Sequence, residues 1–222
     1  MTNTSFPPSV DLAAVRDWLA SGSRVALYIR HAERPPLQAD DPTFGESLGL
    51  TEAGERQARA FGAALRGVVA DARLLASPMT RTRRTVQLIA EGAGLGAGRP
   101  VEDAPEIGVG NVFTDPAGAH RAMQQVGVIP YQLAYFAAGH APAARPVAEA
   151  TARAVGWMRR AATAPLTLFG SHDVTIAVAL TGLGLARITA ETWVPFLTGL
   201  AMVEQDGVWH YHRFRMPDEN QV

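Results

Sequence analysis

Short apolar runs alternate with longer amphipathic stretches along most of this chain. Three runs, at residues 24–30, 74–76 and 166–170, are rich in β-branched, aromatic or other large apolar residues and are bounded by turn formers. Such runs are typical of buried strands. Pro35 and Pro36 follow the first run and prevent its continuation in a sheet interior.

Helical spacing follows the first two runs. Thr51 is placed to cap a helix running to about residue 70, with Glu52 and Glu55 in its first turn. Ser77 and Pro78 occupy the cap and first position of a helix predicted to run to about residue 91. Further helices are predicted at 147–162 and 174–183, weaker ones at 119–126 and 131–138, and a hairpin at 200–203 and 208–214.

This order of strands and helices predicts an α/β fold. We expect a three-layer α/β/α sandwich with a mostly parallel central sheet, ending in a C-terminal β-hairpin. The 222 residues, 47% of them apolar, suffice for a single domain spanning 1–222. Residues 101–146 break the pattern and are expected to form a partly helical cap insertion lying over the site.

Composition narrows the possible functions. A formal net charge of −1 gives no global electrostatic case for binding nucleic acid or an anionic membrane. Cysteine is absent, which excludes disulfides, thiolate metal sites and cysteine nucleophiles. No signal peptide or membrane-spanning run is visible, so a cytoplasmic location is expected. All 20 basic residues are Arg, which makes any single Arg weak evidence of phosphate binding.

Three polar clusters begin where predicted strands end, at residues 30–34, 77–81 and 171–173. Ligands of open α/β sheets bind beyond the carboxyl ends of the strands, so the clusters should converge on one crevice. His31 carries an imidazole that is nucleophilic near neutral pH. The flanking Arg30 and Arg34 can hold a phosphoryl group bidentately. Arg81 lies one turn into a helix whose N-terminus favours an anion.

These motifs together resemble those of one family. The matching positions are Arg30-His31 with Arg34 and Pro36, Leu50-Thr51-x-x-Gly54, Ser77-x-x-x-Arg81-Thr82, and His172-Asp173. In this order they resemble the histidine phosphatase superfamily, with its phosphoglycerate mutase-like fold, over about residues 25–91 and 166–183. The Arg-His-x-x-Arg-x-Pro and His-Asp patterns are closest to its acid phosphatase branch. Ala32 stands where the family usually has Gly, and its methyl group fits only if the backbone angles there are ordinary.

The resemblance implies a phosphomonoester hydrolase working through a covalent phosphohistidine on His31. The resemblance also implies that the charge on the phosphoryl oxygens is neutralised by Arg30, Arg34, Arg81 and His172. It implies no cofactor and no metal. Asp173 is favoured as the proton donor because the acid phosphatase branch uses the Asp after its second His. Glu106 is the alternative, since it lies near the donor position of the mutase-like branch, and Glu33 is a distant third.

Two rival functions remain open. A phosphoglycerate mutase-like phosphomutase would keep the phosphoryl group for return to its substrate, and a non-catalytic protein would only bind phosphoryl groups. We expect a phosphorylated small molecule as substrate, with a phosphoprotein as the alternative, and the sequence does not specify the oligomeric state. His210 and His212 share one strand face, but no third metal ligand is evident.

Overall fold

The computed structural model describes residues 6–37 and 45–216. This part of the chain forms seven α-helices and six strands. In chain order they are α1 (Leu12–Ala20), β1 (Arg24–Arg30), α2 (Glu52–Ala64), β2 (Ala72–Ala76), α3 (Thr80–Gly92), β3 (Glu102–Asp103), α4 (Pro116–Val126), α5 (Val128–Ala138), α6 (Val147–Ala161), β4 (Leu166–Ser171), α7 (Asp173–Gly182), β5 (Gly199–Gln205) and β6 (Val208–Phe214). Two short 3₁₀ turns, Pro105–Ile107 and Val109–Asn111, lie between β3 and α4.

The strands form one mixed sheet in the order β3-β2-β4-β1-β5-β6. β1 and β4 are parallel, with Val25 opposite Leu166, and β2 and β3 continue the parallel part. β5 runs antiparallel to β1, and β6 pairs with β5 in a hairpin and forms one edge of the sheet. The predicted α/β fold with a mostly parallel sheet and a C-terminal hairpin is therefore confirmed.

Successive residues of β1 belong to two different cores, because side chains alternate across a strand. Val25, Leu27 and Ile29 join the cluster that packs α1, α2 and α3 against one face of the sheet. Ala26 and Tyr28 join the cluster that packs α5, α6 and α7 against the other face. All five of these side chains are fully buried, so β1 is one of the two central strands of a three-layer arrangement.

Glycine allows α2 and α3 to approach each other very closely. A Cβ atom added at Gly62 would lie 2.0 Å from the carbonyl oxygen of Ile89, and one at Gly92 would lie 2.1 Å from that of Arg59. Both neighbours are backbone atoms, which a side-chain rotation cannot clear. The contact packs α2 and α3 closely together on one face of the sheet.

Thr51 caps α2 as predicted, since its hydroxyl accepts the Gly54 N–H at 2.9 Å. The same hydroxyl donates to Glu33 at 2.8 Å, so that carboxylate has a structural role at the start of the helix. The helix ends at Ala64, not near residue 70. Gly67 follows with a φ of 81°, a left-handed conformation that ends helices.

The remaining segments agree with most of the sequence predictions. The two weak helical stretches within 101–146 are α4 and α5, and the hairpin turns at Asp206-Gly207, where both residues have positive φ. α1 carried no prediction, and Asp11 caps it by accepting the amides of Ala13 and Ala14. None of the described helices is long and apolar enough to cross a membrane.

Candidate active site

The carboxyl ends of the two central parallel strands and of β2 bring the three polar clusters together. Arg30 at the end of β1 lies in register with Ser171 at the end of β4. The His31 amide donates to the Ser171 carbonyl at 2.9 Å, and the Ser77 amide donates to the Gly170 carbonyl at 3.0 Å. The convergence expected from the strand ends is therefore present in the fold.

His31 is held in one tautomer. Its Nδ1 lies 2.8 Å from the Ala32 carbonyl, and since a carbonyl only accepts, Nδ1 carries the proton and Nε2 has the lone pair. The ring is only 2% exposed and stands 5.7 Å from the His172 ring, measured between centroids. The backbone φ of Ala32 is not positive, and its amide donates to the Thr85 hydroxyl. Its methyl group therefore fits without strain.

His172 is fixed by a residue that we predicted to be a helix cap. Ser77 Oγ lies 2.8 Å from His172 Nε2, which leaves Nδ1 as the ring nitrogen available to a ligand. The N-cap position of α3 is Met79, with no side-chain cap bond, so the cap prediction for Ser77 was wrong. Ser77 is 1% exposed and belongs instead to the wall of the site.

Asp173 and Arg30 form an ion pair at the start of α7. Arg30 Nη2 lies 3.1 Å from Asp173 Oδ2, and the two side chains are 11% and 27% exposed. Arg30 Nη1 donates to the Val194 carbonyl at 2.6 Å. Asp173 Oδ1 accepts the Val174 amide at 2.8 Å. The aspartate thus holds one of the predicted phosphate ligands in place.

Arg34 and Arg81 complete a cluster of three guanidinium groups. Arg34 Nη1 donates to the Pro35 carbonyl at 2.7 Å, and Arg81 Nη1 donates to the Gly45 carbonyl at 2.5 Å. Arg30 is 9% exposed and Arg81 only 5%. Each of the three keeps a buried Nε–H with no hydrogen-bond partner among the described residues. Buried unpartnered donors are costly, and three in one cluster indicate a site built for an anion.

A loop after α7, residues 193–197, forms one wall of the site. We call it the 193–197 segment. Trp193 Nε1 donates to Asp173 Oδ2 at 3.1 Å. The Phe196 ring lies 5.6 Å from the His31 ring and 4.1 Å below the Arg30 guanidinium, an arrangement that permits a cation–π contact. Leu197 adopts a φ of 57°, and its amide donates to the Arg30 carbonyl.

The electrostatics keep both imidazoles neutral. Burial lowers the pKa of His31 to about 2, against the opposing bond to Ala32, and the nearby His172 and Arg81 lower it further. Burial and the charge of Arg81 lower the pKa of His172 to about 3. A neutral His31 with a free Nε2 has the electronic form of a nucleophile over the whole physiological range.

Burial also lowers the pKa of Arg81 to about 10, with the charge of Arg34 acting in the same direction. Burial by itself raises the pKa of Asp173, but the Arg30 charge and the Trp193 N–H outweigh it, so the net pKa is lowered. The site therefore holds one carboxylate among three guanidinium groups.

Glu106 lies in the first 3₁₀ turn, next to Ile107, whose carbonyl accepts a hydrogen bond from Ser171 Oγ. It is exposed and lines an open cavity of about 520 Å³ together with Pro105, Gly110, Asn111, Arg153, Trp157 and Arg160. The structure thus brings together His31, His172, Asp173 and the three predicted arginines.

Sequence reasoning missed Trp193, Phe196 and the role of Ser77. The 193–197 segment has no periodicity and no recognisable motif, so nothing in its own sequence points to the site. Ser77 did stand at a strand end beside Arg81, which was a usable signal. No group of three or more His, Cys, Asp or Glu residues in the described ranges is placed to hold a metal ion.

Solved structures with the same fold include several enzymes. The mycobacterial glucosyl-3-phosphoglycerate phosphatase is 14% identical, with a TM-score of 0.56, over 88% of this chain and 100% of the other. YhfR from Bacillus stearothermophilus is 14% identical, with a TM-score of 0.56, over 85% and 95% of the two chains. Phosphoglycerate mutase from Bacillus anthracis is 15% identical, with a TM-score of 0.50, over 88% and 94%. At such identities these likenesses establish the fold alone, and no curated protein matches the sequence significantly.

A family model decides between the branches. It describes the histidine phosphatase superfamily (branch 1) and matches residues 27–201. The similarity to the acid phosphatase branch was therefore misleading, because the short motifs around His31 and His172 report local phosphate chemistry, whereas the match over 27–201 reports the whole fold. The chain belongs to branch 1 of the histidine phosphatase superfamily.

Proposed function

We propose that this protein is a phosphomonoester hydrolase that works through a covalent phosphohistidine on His31. The observation that carries the proposal is the buried, neutral imidazole of His31, with Nε2 free, beside three guanidinium groups that each keep an unpartnered buried N–H. Such donors stabilise the charge on the equatorial oxygens of a phosphoryl group in transfer.

The reaction has two steps. His31 Nε2 attacks phosphorus in line, the bond to the leaving oxygen breaks, and that oxygen takes a proton from Asp173. A water molecule then attacks the phosphohistidine and gives its proton to Asp173. The P–N bond breaks, inorganic phosphate leaves, and His31 regains its lone pair.

Asp173 is our choice of proton donor because its carboxylate lies in the cluster, beside Arg30. Glu106 is the alternative, in the turn whose Ile107 carbonyl accepts from Ser171. An anionic carboxylate cannot donate, and the Arg30 charge and the Trp193 N–H hold the Asp173 pKa below its usual value. A bound phosphoryl dianion adds negative charge beside Asp173 and competes for Arg30. Both effects raise the carboxyl pKa and favour the protonated form.

We further propose that residues 101–146 restrict access to the site and so select a phosphorylated small molecule over a phosphoprotein. The supporting contact is the Phe136 ring of α5, 6.1 Å from Trp193 in the wall of the site.

The test is hydrolysis of 4-nitrophenyl phosphate by wild type and His31→Ala, with a chelator present, from about pH 4 to 8. We expect chelator-resistant phosphate release that His31→Ala abolishes while the circular dichroism spectrum is unchanged. Release that survives this substitution would refute the mechanism. A stable phosphoenzyme formed without release would instead favour the phosphomutase alternative, and binding of phosphate without either would favour a non-catalytic protein.

Two matched variants assign the donor. Asp173→Asn should slow hydrolysis of alkyl phosphates far more than that of 4-nitrophenyl phosphate, whose leaving group needs little protonation. Glu106→Gln should leave both rates near wild type. The opposite pattern would transfer the donor role to Glu106.

A further inference from the structure

Trp193 contacts the site from a segment that no phosphate-binding motif includes. Its indole N–H donates to Asp173 Oδ2, the same oxygen that faces Arg30 Nη2, and both separations are 3.1 Å. The other carboxylate oxygen accepts the Val174 amide at 2.8 Å. The Asp173 carboxylate is thus held by the Arg30 side chain, the Trp193 indole and the Val174 amide. Of the two side chains, only the indole is uncharged.

The indole ring itself is fixed by the insertion. Its centroid lies 6.1 Å from that of Phe136, and Phe136 in turn packs 5.5 Å from Tyr135. Both of these residues belong to α5 and are buried. The Tyr135 hydroxyl donates to the Arg145 carbonyl at 2.8 Å, which ties α5 to the start of α6. A buried ring of α5 therefore contacts the indole that donates to Asp173.

We propose that Trp193 is a positioning residue, which holds the Asp173 carboxyl group toward the leaving oxygen and makes proton donation depend on α5. This inference rests on the proposed function. The indole N–H can donate to either protonation state of the carboxyl group, whereas the Arg30 ion pair favours the anion alone. When a phosphoryl group binds Arg30, the hydrogen bond from the Trp193 indole still orients the Asp173 carboxyl group.

The protonation of Asp173 depends on the charged and polar groups around it. The groups that act on it are Arg30, Arg34, Arg81 and His172, besides the Trp193 and Val174 N–H donors. Replacing Trp193 with Phe removes one donor to the carboxylate and keeps a ring on Phe136. The Asp173 pKa should then rise, because a hydrogen bond to the charged form has been lost.

The experiment compares Trp193→Phe with wild type on 4-nitrophenyl phosphate and on an alkyl phosphate. We expect kcat for the alkyl phosphate to fall about tenfold and kcat for the aryl phosphate to change less than about twofold. The basic limb of kcat/KM should move to higher pH by about half a unit to one unit. Trp209→Phe, on edge strand β6, is the matched control and should alter neither measurement.

A double-variant cycle separates positioning from packing. In the Asp173→Asn background, Trp193→Phe should cause no further loss on the alkyl phosphate, because the group it positions can no longer donate. An equal loss on both substrates, or a loss that persists in that background, would overturn the inference while leaving His31-dependent hydrolysis in place. Absence of His31-dependent hydrolysis would remove the proposed function and this inference together.

A second variant covers the case in which Trp193→Phe does not fold. Phe136→Leu leaves the indole N–H intact but removes the ring on which it rests. We expect the same selective loss on the alkyl phosphate, smaller in size, and wild-type behaviour would refute the dependence on α5.

Discussion

The two buried imidazoles should make the folded state sensitive to acid. His31 is 2% exposed and His172 is 4% exposed. Burial, together with nearby positive charge, lowers their pKa values to about 2 and about 3. An unfolded chain returns each histidine to an ordinary pKa of about 6.5. Between about pH 6.5 and 3 the unfolded state therefore binds a proton at each position that the folded state does not.

The direction and size of the effect follow from proton linkage. Stability rises with pH wherever the unfolded state binds more protons, so the contribution of each histidine is complete above about pH 6.5 and is lost as the pH falls. Each pH unit below 6.5 costs about 1.4 kcal/mol per histidine. At pH 5.0 the loss is about 2 kcal/mol per histidine, or about 4 kcal/mol for the pair, a large fraction of a typical stability.

The assay is urea unfolding at a series of pH values between 5.0 and 7.5, followed by circular dichroism. The buffer must lack phosphate and sulfate, because an anion bound to the folded state would stabilise it. Asp and Glu carboxyl groups also titrate in this pH range, so the informative quantity is the difference in the free energy of unfolding between wild type and His31→Asn. That difference should change by about 2 kcal/mol in favour of the variant on going from pH 7.5 to 5.0.

His172→Asn should behave in the same way, and His140→Asn, at an exposed position in the 139–146 loop, is the matched surface control. A difference between wild type and His31→Asn that does not vary with pH would refute the reasoning. It would mean that the folded protein protonates His31 as readily as the unfolded chain, and that the imidazole is not held neutral.

Two further predictions concern stability. Gly62→Ala should destabilise the protein by about 1–3 kcal/mol in urea unfolding, since its Cβ would meet the Ile89 carbonyl at 2.0 Å. Gly156→Ala is the control: its nearest neighbour is a side-chain atom at 3.7 Å, so it should be neutral or stabilising by up to about 1 kcal/mol. Equal effects at the two positions would contradict the close approach of α2 and α3. Thr51→Ala should cost about 1 kcal/mol by removing the α2 cap and the bond to Glu33, and Thr51→Ser should recover most of it; no recovery would rule out the hydroxyl as the source.

The fold and the centre of the site were accessible from the sequence for a simple reason. β1 and β4 are buried on both faces, so their apolar runs are continuous and easily seen. Polar residues that directly follow such a run, at the carboxyl end of the strand, have few structural roles. His31 and His172 could therefore be identified as candidate site residues. Parallel pairing then brings these ends together whatever the strand order.

The rest of the site depends on contacts that no local pattern records. Ser77 has the residue type of a helix cap, but its partner His172 is 95 positions away. Trp193 lies in a loop whose path is set by Phe136 and Asp173, both distant in sequence.

The position of β1 in the sheet has a consequence for synthesis of the chain. β1 is made before both of its neighbours, which begin at Leu166 and Gly199, so Val25 waits about 140 residues for its first partner. At roughly 5–20 residues per second this delay is about 7–30 s. Throughout that time an apolar strand with two unpaired edges is exposed to other nascent chains, a known source of aggregation. Yield in a fast expression host should therefore depend on chaperones that shield the N-terminal third of the chain.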